Sequence, residues 1–192
     1  MNTEIIRNIR AACPDDFTQV APLIVQAMED LACTFANTND PQKTLPLFEH
    51  FFQQKQNQYS FENTLVYEEN GEIAGSIIAY DGALLPLYRE PFLKYIATNY
   101  NVKDLIIENE TLKGELYIDT LSVYPKHQGK GIGRQLLTAI KERAEREGHK
   151  KLGLLVDFKN PSAKKLYSAL GYESVGRKQL GNSVYEHLQL SL

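Results

Sequence analysis

The stretch V-Y-P-K-H-Q-G-K-G-I-G-R at residues 123–134 joins a strand-like segment, 115–123, to a helix-like segment, 132–147. Its three glycines stand at alternate positions, 129, 131 and 133. Glycine lets the backbone adopt a left-handed conformation and approach a ligand closely. The free N–H groups at the start of the following helix, together with the helix dipole, favour an anion. The pattern therefore predicts a loop that cradles a phosphate or pyrophosphate, with an ordinary turn as the structural alternative.

The spacing of these glycines excludes two common nucleotide-binding loops. A dinucleotide-binding G-x-G-x-x-G requires a glycine where Arg134 stands. A P-loop that ends at Lys130 requires a glycine at Tyr124 and a hydroxyl residue at Gly131. The spacing that does fit is Q-x-x-G-x-G at residues 128–133, which resembles the acetyl-CoA signature of the GNAT N-acetyltransferase superfamily.

A second block resembles the same family. Residues 156–172 read V-D-F-K-N-P-S-A-K-K-L-Y-S-A-L-G-Y, similar to the V-x-x-x-N-x-x-A-x-x-L-Y-x-x-x-G-[FY] stretch that follows the fifth strand in GNAT enzymes. The two blocks stand in the family's order, and the resemblance covers residues 115–172, about a third of the chain. The chain is thus identified as a member of the superfamily, of the bacterial single-domain type.

Composition excludes several other classes of protein. With 192 residues, 43% of them hydrophobic and 23% charged, the chain suits one soluble α/β domain. The net charge of -3 argues against a nucleic-acid partner. No apolar run approaches the roughly 20 residues of a membrane span, and the N-terminus lacks the apolar core of a signal peptide. Cys13 and Cys33 lack metal-ligand spacing, so we expect no metal site and a cytoplasmic location.

The order of predicted elements is β-α-α-β-β-β-α-β-α-β-β, which is mixed α/β. It begins with a strand at Ile5–Ala11 and includes a hairpin at Asn70-Gly71, the strongest short hairpin signal. The resemblance implies the GNAT acyl-CoA N-acyltransferase fold. This fold has a central mixed, mostly antiparallel sheet flanked by helices, and its fourth and fifth strands splay apart. We expect residues 1–192 to form one domain.

One departure from the family is a long connection at residues 81–114, between the third and fourth strands. It is too apolar for a disordered linker, so we expect a helical insertion that packs on the domain. Two roles remain open for it: extra core or a homodimer contact, and a wall of the acceptor pocket. Its polar candidates for acceptor contact are Asp81, Tyr88, Arg89 and Glu90.

The resemblance also implies a binding site for acetyl-CoA. The side chain of Gln128 and the amides of the loop are expected to hold the pyrophosphate: Gly129, Lys130, Gly131, Ile132, Gly133 and Arg134. The backbone of Leu121, Ser122 and Val123 is expected to border the gap that admits the pantetheine arm. Asn160 is expected to meet that arm, although Asn160-Pro161 is also an ordinary start of a helix.

The catalytic candidates lie beside this gap. Because alternate residues of a strand share a face, we expect Glu115, Tyr117, Asp119, Leu121 and Val123 to point together. The resemblance implies that the N–H of Val123 stabilises the oxyanion and that Tyr167 protonates the leaving thiolate, where a core tyrosine is the alternative. An alkylamine pays roughly 4–5 kcal/mol to lose its proton at pH 7, and an α-amino group only about 1 kcal/mol. Asp119 is the candidate base, with a structural hydrogen bond as its alternative, and Glu115 is a second candidate through water.

These residues predict an enzyme that transfers an acetyl group from acetyl-CoA to a primary amine by direct attack in a ternary complex. A small-molecule acceptor is favoured. The alternatives are a protein or peptide acetyltransferase that acts on N-termini or lysines, and a regulatory module that binds acyl-CoA without catalysis. The identity of the acceptor, the acyl preference and the oligomeric state do not follow from the sequence.

Overall fold

The computed structural model describes residues 8–28, 30–103, 105, 107–111, 113–180 and 183–192. A seven-stranded sheet runs through it in the order β1-β2-β3-β4-β5-β7-β6. Neighbouring strands are antiparallel, except for the parallel pair β4–β5. The strands are β1 (Ile9–Ala11), β2 (Thr64–Glu69), β3 (Glu72–Asp81), β4 (Leu116–Val123), β5 (Lys151–Asp157), β6 (Glu173–Leu180) and β7 (Ser183–Ser191).

Helices cover both faces of this sheet. Residues of the first four helices pack into one apolar core, and residues of the last two pack into a second core on the opposite face. The helices are α1 (Phe17–Met28), α2 (Asp30–Phe35), α3 (Leu45–Phe52), α4 (Leu85–Asn99), α5 (Ile132–Arg146) and α6 (Pro161–Ser168). The mixed α/β class and the mostly antiparallel sheet are those predicted.

Some element bounds differ from the predicted ones. The first strand begins at Ile9, and residues 5–7 of its predicted range lie outside the described residues. The first of the two helices predicted between the first and second strands is observed as two helices, one ending at Met28 and the next beginning at Asp30. The strand predicted at 115–123 and the helix predicted at 132–147 agree with β4 and α5 within one residue at each end.

The connection between β3 and β4 contains the predicted helix, α4. Phe92 and Ile96 of this helix are fully buried in the first core, and the ring of Phe92 contacts those of Phe48 and Tyr59. The helix therefore extends the core, which is one of the two roles expected of the insertion.

Strands β4 and β5 pair only over a short stretch. Residues Leu116–Ile118 of β4 face Leu152–Leu154 of β5 in parallel register. Beyond that stretch β4 continues to Val123 and β5 to Asp157 without pairing with each other, while each stays paired with its other neighbour. This is the predicted splay, and it leaves strand edges available on both sides of a gap.

A β-bulge lies in β4 where the two strands separate. Ile78 of β3 pairs with Thr120 and the next residue, Ala79, pairs with Ile118, so Asp119 is an extra residue in β4. A bulge interrupts the two-residue alternation of side chains and re-aims those that follow it.

The bulge corrects one prediction about the site. Tyr117 packs into the first core, whereas Leu121 and Val123 pack against the second core, on the face of α5. The side chains of Glu115, Tyr117, Asp119, Leu121 and Val123 therefore do not all point together. The prediction assumed regular alternation, and the extra residue at Asp119 reverses it.

Candidate active site

The glycine loop forms a tight backbone turn that ends in a helix. Gly129 and Gly131 have φ of 77° and 80°, in the left-handed region that favours glycine. Gly131 is the residue that precedes α5, and no described side chain caps this end of the helix. The first amides of α5 are thus available to an anion, and the helix dipole favours one there.

A cavity of about 510 Å³ surrounds this loop. All of the predicted cofactor residues except Lys130 line it, and Lys130 is exposed on the loop. The lining residues that sequence reasoning selected are Leu121, Ser122, Val123, Gln128, Gly129, Gly131, Ile132, Gly133, Arg134, Asn160 and Tyr167.

A second cavity, of about 600 Å³, occupies the gap between the ends of β4 and β5. It shares the residues of β4 from Leu121 to Val123, and Asn160 and Tyr167, with the first cavity. It extends from there to Asp119 on one side and to Tyr185 on the other. The two cavities are therefore parts of one cleft, with Tyr167 at their common wall.

The backbone of β4 presents polar groups to this cleft. The N–H of Tyr124 donates to the carbonyl of Ala74 on β3 at 2.9 Å. Because hydrogen-bonded and non-hydrogen-bonded pairs alternate along antiparallel strands, the N–H of Val123 points away from β3, toward the gap. The carbonyl of Val123 accepts from the side-chain amides of Gln26 at 3.0 Å and Gln128 at 2.9 Å.

Gln26 was missed by sequence reasoning. It lies on α1, lines the larger cavity and also donates to the hydroxyl of Ser122 at 2.7 Å. Nothing in the sequence near position 26 indicates a contact with residues 122 and 123, which lie almost a hundred positions later.

Asn160 and Tyr167 lie at opposite ends of α6. Asn160 Oδ1 accepts from the N–H of Ala163 at 3.0 Å, so the expected helix-capping role is present, and Asn160 also lines both cavities. Tyr167 is buried, and this burial raises the pKa of its hydroxyl to about 12. Tyr167 therefore keeps its proton at neutral pH and can act as a donor toward the cleft.

Asp119 is half-buried and lines the larger cavity. Its Oδ2 accepts hydrogen bonds from the hydroxyl of Tyr80 at 2.5 Å and from Nε2 of Gln58 at 3.3 Å. Burial, and next the charge of Glu110, raise the pKa of Asp119 to about 7, against the opposing effects of Tyr80 and Arg89. A carboxyl group with this pKa can accept a proton at neutral pH. The structural hydrogen bond to the neighbouring strand, which was the alternative role, is present as well.

Glu115, the second candidate base, lies elsewhere. Its carboxylate accepts hydrogen bonds from Thr111 at 2.5 Å and Gln189 at 2.7 Å, and Nε2 of His187 lies 3.2 Å from it. It is fully buried and lines neither cavity. Its contacts indicate a structural role.

The polar candidates of the insertion do not line either cavity. Asp81 accepts from the N–H of Ala83, Glu90 pairs with Lys94, and Arg89 is buried in an ion pair with Glu110. In the part of the chain that the structure describes, no three His, Cys, Asp or Glu side chains are grouped to hold a metal ion. No described helix is long and apolar enough to cross a membrane.

Solved structures of acetyltransferases have a similar architecture. A crystal structure of an acetyltransferase is 32% identical and covers 95% of this chain and 98% of its own, with a TM-score of 0.79. An N-acetyltransferase from Staphylococcus aureus is 27% identical over 95% of this chain and 99% of its own, also with a TM-score of 0.79.

A ribosomal protein bS18-alanine N-acetyltransferase of Haemophilus ducreyi is 33% identical over 85 residues, 43% of this chain. The chain spans 59% of that relative and 51% of a second curated relative, an N-acetyltransferase of Bacillus subtilis. The model of the acetyltransferase (GNAT) family matches residues 25–172, most of the described cleft included. This chain therefore belongs to the GNAT acetyltransferase family.

Proposed function

We propose that this protein transfers the acetyl group of acetyl-CoA to a primary amine by direct attack in a ternary complex. The observation that carries the proposal is the single cleft that joins the glycine loop to Asp119 and Tyr167. An anion-binding loop at one end and a proton acceptor and a proton donor at the other are what such a transfer requires.

The residues of the cleft fit acetyl-CoA. The amides from Gly129 to Arg134 would hold the pyrophosphate at the N-terminus of α5, and exposed Lys130 and Arg134 would add positive charge. The unpaired edge of β4 from Leu121 to Val123 would border the pantetheine arm, with Asn160 on the other side. Acetyl-CoA supplies an activated thioester, and the chain supplies its orientation.

Three groups would carry the proton and charge transfers. The N–H of Val123 is directed toward the gap and would stabilise negative charge on the thioester oxygen. Asp119 would accept the proton of the amine, and Tyr167 would donate one to the departing thiolate. Cys13 and Cys33 line neither cavity, which supports direct attack over a covalent acyl-cysteine.

A small amine is the first acceptor class, because the cavity beside Asp119 measures only about 600 Å³ and the bound thioester would share it. The insertion at 81–114 lends this choice no support, since none of its described residues lines the cavity and a wall of the acceptor pocket was only one of its two open roles. The α-amino group of a peptide is the second class. Its pKa of about 7.7–8.0 is close to that of Asp119, and one relative is named for acetylating an alanine of a ribosomal protein.

The test is release of free thiol from acetyl-CoA against polyamines, amino acids, aminoglycosides and peptides with free N-termini. Wild type is compared with Asp119→Asn, Tyr167→Phe and the control Tyr172→Phe. The hydroxyl of Tyr172 is buried, has no hydrogen-bond partner among the described residues, and lines neither cavity. We expect at least a tenfold loss in the first two variants and none in the control. Tight acetyl-CoA binding without turnover on any acceptor would favour the non-catalytic module, and no binding would overturn the proposal.

A further inference from the structure

A buried ion pair lies behind the candidate base. Arg89 of α4 and Glu110, in the segment between α4 and β4, are 6% and 7% exposed and pair with each other. Removing two charges from water is unfavourable unless their other hydrogen-bonding groups are also satisfied. Here the remaining hydrogen-bonding groups of Arg89 and Glu110 contact residues that connect to Asp119.

Arg89 reaches Asp119 through Gln58. Nε of Arg89 donates to Oε1 of Gln58 at 3.4 Å, and Nε2 of Gln58 donates to Oδ2 of Asp119 at 3.3 Å. An amide has one acceptor end and one donor end. Because the guanidinium binds the oxygen, the NH₂ group of Gln58 is turned toward the carboxylate.

Glu110 reaches Asp119 through two tyrosines. Its Oε2 accepts from the hydroxyl of Tyr117 at 2.9 Å, and the ring of Tyr117 lies 5.9 Å from that of Tyr80. The hydroxyl of Tyr80 in turn donates to Oδ2 of Asp119 at 2.5 Å. The hydroxyl of Tyr59, a further titratable group beside this cluster, accepts from Gln58 at 3.1 Å.

Both hydrogen bonds described for Asp119 therefore end on the same oxygen, Oδ2. Oδ1 is left as the oxygen that can accept a proton from a molecule in the cavity. Arg89 balances the charge of Glu110, so the ionised Asp119 carries the net negative charge of the cluster. A proton taken from an ammonium acceptor would neutralise it.

We propose that Arg89 and Glu110, both supplied by the insertion, are positioning residues that hold Asp119 in place as the base. This inference rests on the proposed function and gives the insertion a role that its place outside the cavity would not suggest. Arg89 acts through Gln58, and Glu110 acts through the tyrosines and through its charge. Neither residue lines the cavities of the cleft.

The test is the pH dependence of kcat/KM with the best acceptor for wild type, Tyr80→Phe, Glu110→Gln and Arg89→Lys. Tyr80→Phe removes a hydrogen bond that favours the ionised carboxylate, so the pKa of Asp119 should rise. The acidic limb of the kcat/KM profile, where activity falls as the base is protonated, should move up by about 0.5–1 pH unit. Glu110→Gln removes a neighbouring negative charge, so the limb should move down by a similar amount. Arg89→Lys keeps the positive charge but loses the guanidinium N–H that binds Oε1 of Gln58 and so orients its amide. We expect kcat to fall severalfold and KM to stay unchanged.

Tyr88→Phe is the matched control, because the ring of Tyr88 packs 5.7 Å from that of Tyr80 without a described contact to Asp119. It should leave the limb in place. Thermal unfolding of each variant identifies those that misfold, and Tyr80→Phe, which removes a single oxygen, keeps the test available if a charge variant does not fold. A purely structural network would lower activity without moving the limb in opposite directions, and that result would overturn the inference.

The failure of this inference is distinguishable from failure of the proposed function. If wild type shows no amine-dependent turnover, or Asp119→Asn retains full activity, the base itself is wrong and the inference falls with it. If Asp119→Asn loses activity while Tyr80→Phe and Glu110→Gln keep the wild-type limb, the base stands and the positioning role alone is wrong.

Discussion

The carboxylate of Glu115, the residue just before β4, lies against the backbone of Gly153 on β5, so closely that a β carbon at Gly153 would overlap it. Gly153 pairs with Tyr117 in the short parallel stretch before the two strands separate. Thr111, His187 and Gln189 hold the same carboxylate. One buried carboxylate, that of Glu115, thus packs beside the stretch where β4 and β5 still pair. It fits there only because Gly153 has no side chain.

Gly153→Ala should therefore destabilise the fold. The added methyl group must displace a carboxylate that three partners hold, and overpacking of this kind costs about 1–3 kcal/mol. The matched control is Gly176→Ala on β6, where an added β carbon meets nothing within 4 Å. Urea unfolding measures both variants. Equal stability of the two would contradict the close contact between Glu115 and Gly153.

Glu115→Gln should lose stability in a pH-dependent way. Burial raises the pKa of Glu115, but hydrogen bonds from His187, Thr111 and Gln189 outweigh it, so the pKa is lowered from its usual value. A lowered pKa means that the ionised form stabilises the fold above the ordinary carboxyl pKa, and that this stability is lost as the pH falls through the folded pKa.

The difference in unfolding free energy between wild type and Glu115→Gln should accordingly be largest near pH 6 and shrink toward pH 3. The exposed Glu90, which pairs with Lys94 on the same helix, provides the control Glu90→Gln. Its difference should stay small at every pH, because solvent screens such a pair. A constant difference for Glu115→Gln across this range would mean that its carboxylate is not held as described.

Gly131→Ala should weaken acetyl-CoA binding. The substitution forces a side chain into left-handed backbone at the start of α5, which costs about 1–2 kcal/mol and shifts the amides that would hold the pyrophosphate. Gly148 follows the other end of α5 with the same φ of 80° and with equally open surroundings, so Gly148→Ala imposes the same strain away from the loop. Calorimetry should show at least a tenfold higher Kd for Gly131→Ala alone. A similar Kd for both variants would contradict the assignment of the glycine loop to the acetyl-CoA site.

Local patterns predicted the part of this site that local backbone builds. The glycines before α5 and the run from Asn160 to Tyr172 determine turns and helix ends within a few residues, so their spacing is sufficient to place them. The gap between β4 and β5 was expected for a different reason, because the resemblance to the GNAT family implies that these strands splay apart.

Contacts between distant segments were not predictable in this way. Gln58 and Asp119 are 61 positions apart, and Gln26 and Ser122 are 96 apart. Neither pair leaves a periodic signal, because only the packing of α1 and of the segment before β2 against β4 brings them together. The bulge at Asp119 was missed for a related reason: it is defined by the register with β3, and the residues of β4 themselves read as a regular strand.

Asp119→Asn should lose activity and gain stability at neutral and higher pH. Burial and the charge of Glu110 raise the pKa of Asp119 from 3.8 to about 7, so ionisation of this group opposes folding. The stability associated with the protonated form is complete below the unfolded pKa and is lost as the pH rises through the folded pKa. Wild type should therefore lose stability between about pH 4 and pH 7, while Asn, which does not titrate and can still accept from Tyr80, should not.

The variant should gain about 2–4 kcal/mol over wild type at pH 8 relative to pH 4, since each pKa unit corresponds to about 1.4 kcal/mol. Urea unfolding at the two pH values measures this gain, and thiol release on the same samples measures the loss of activity. A buried carboxyl group kept only for structure would lose stability on substitution at both pH values. A gain confined to the higher pH, together with loss of turnover, is the result expected of a group held in an unfavourable environment because the reaction uses its charge.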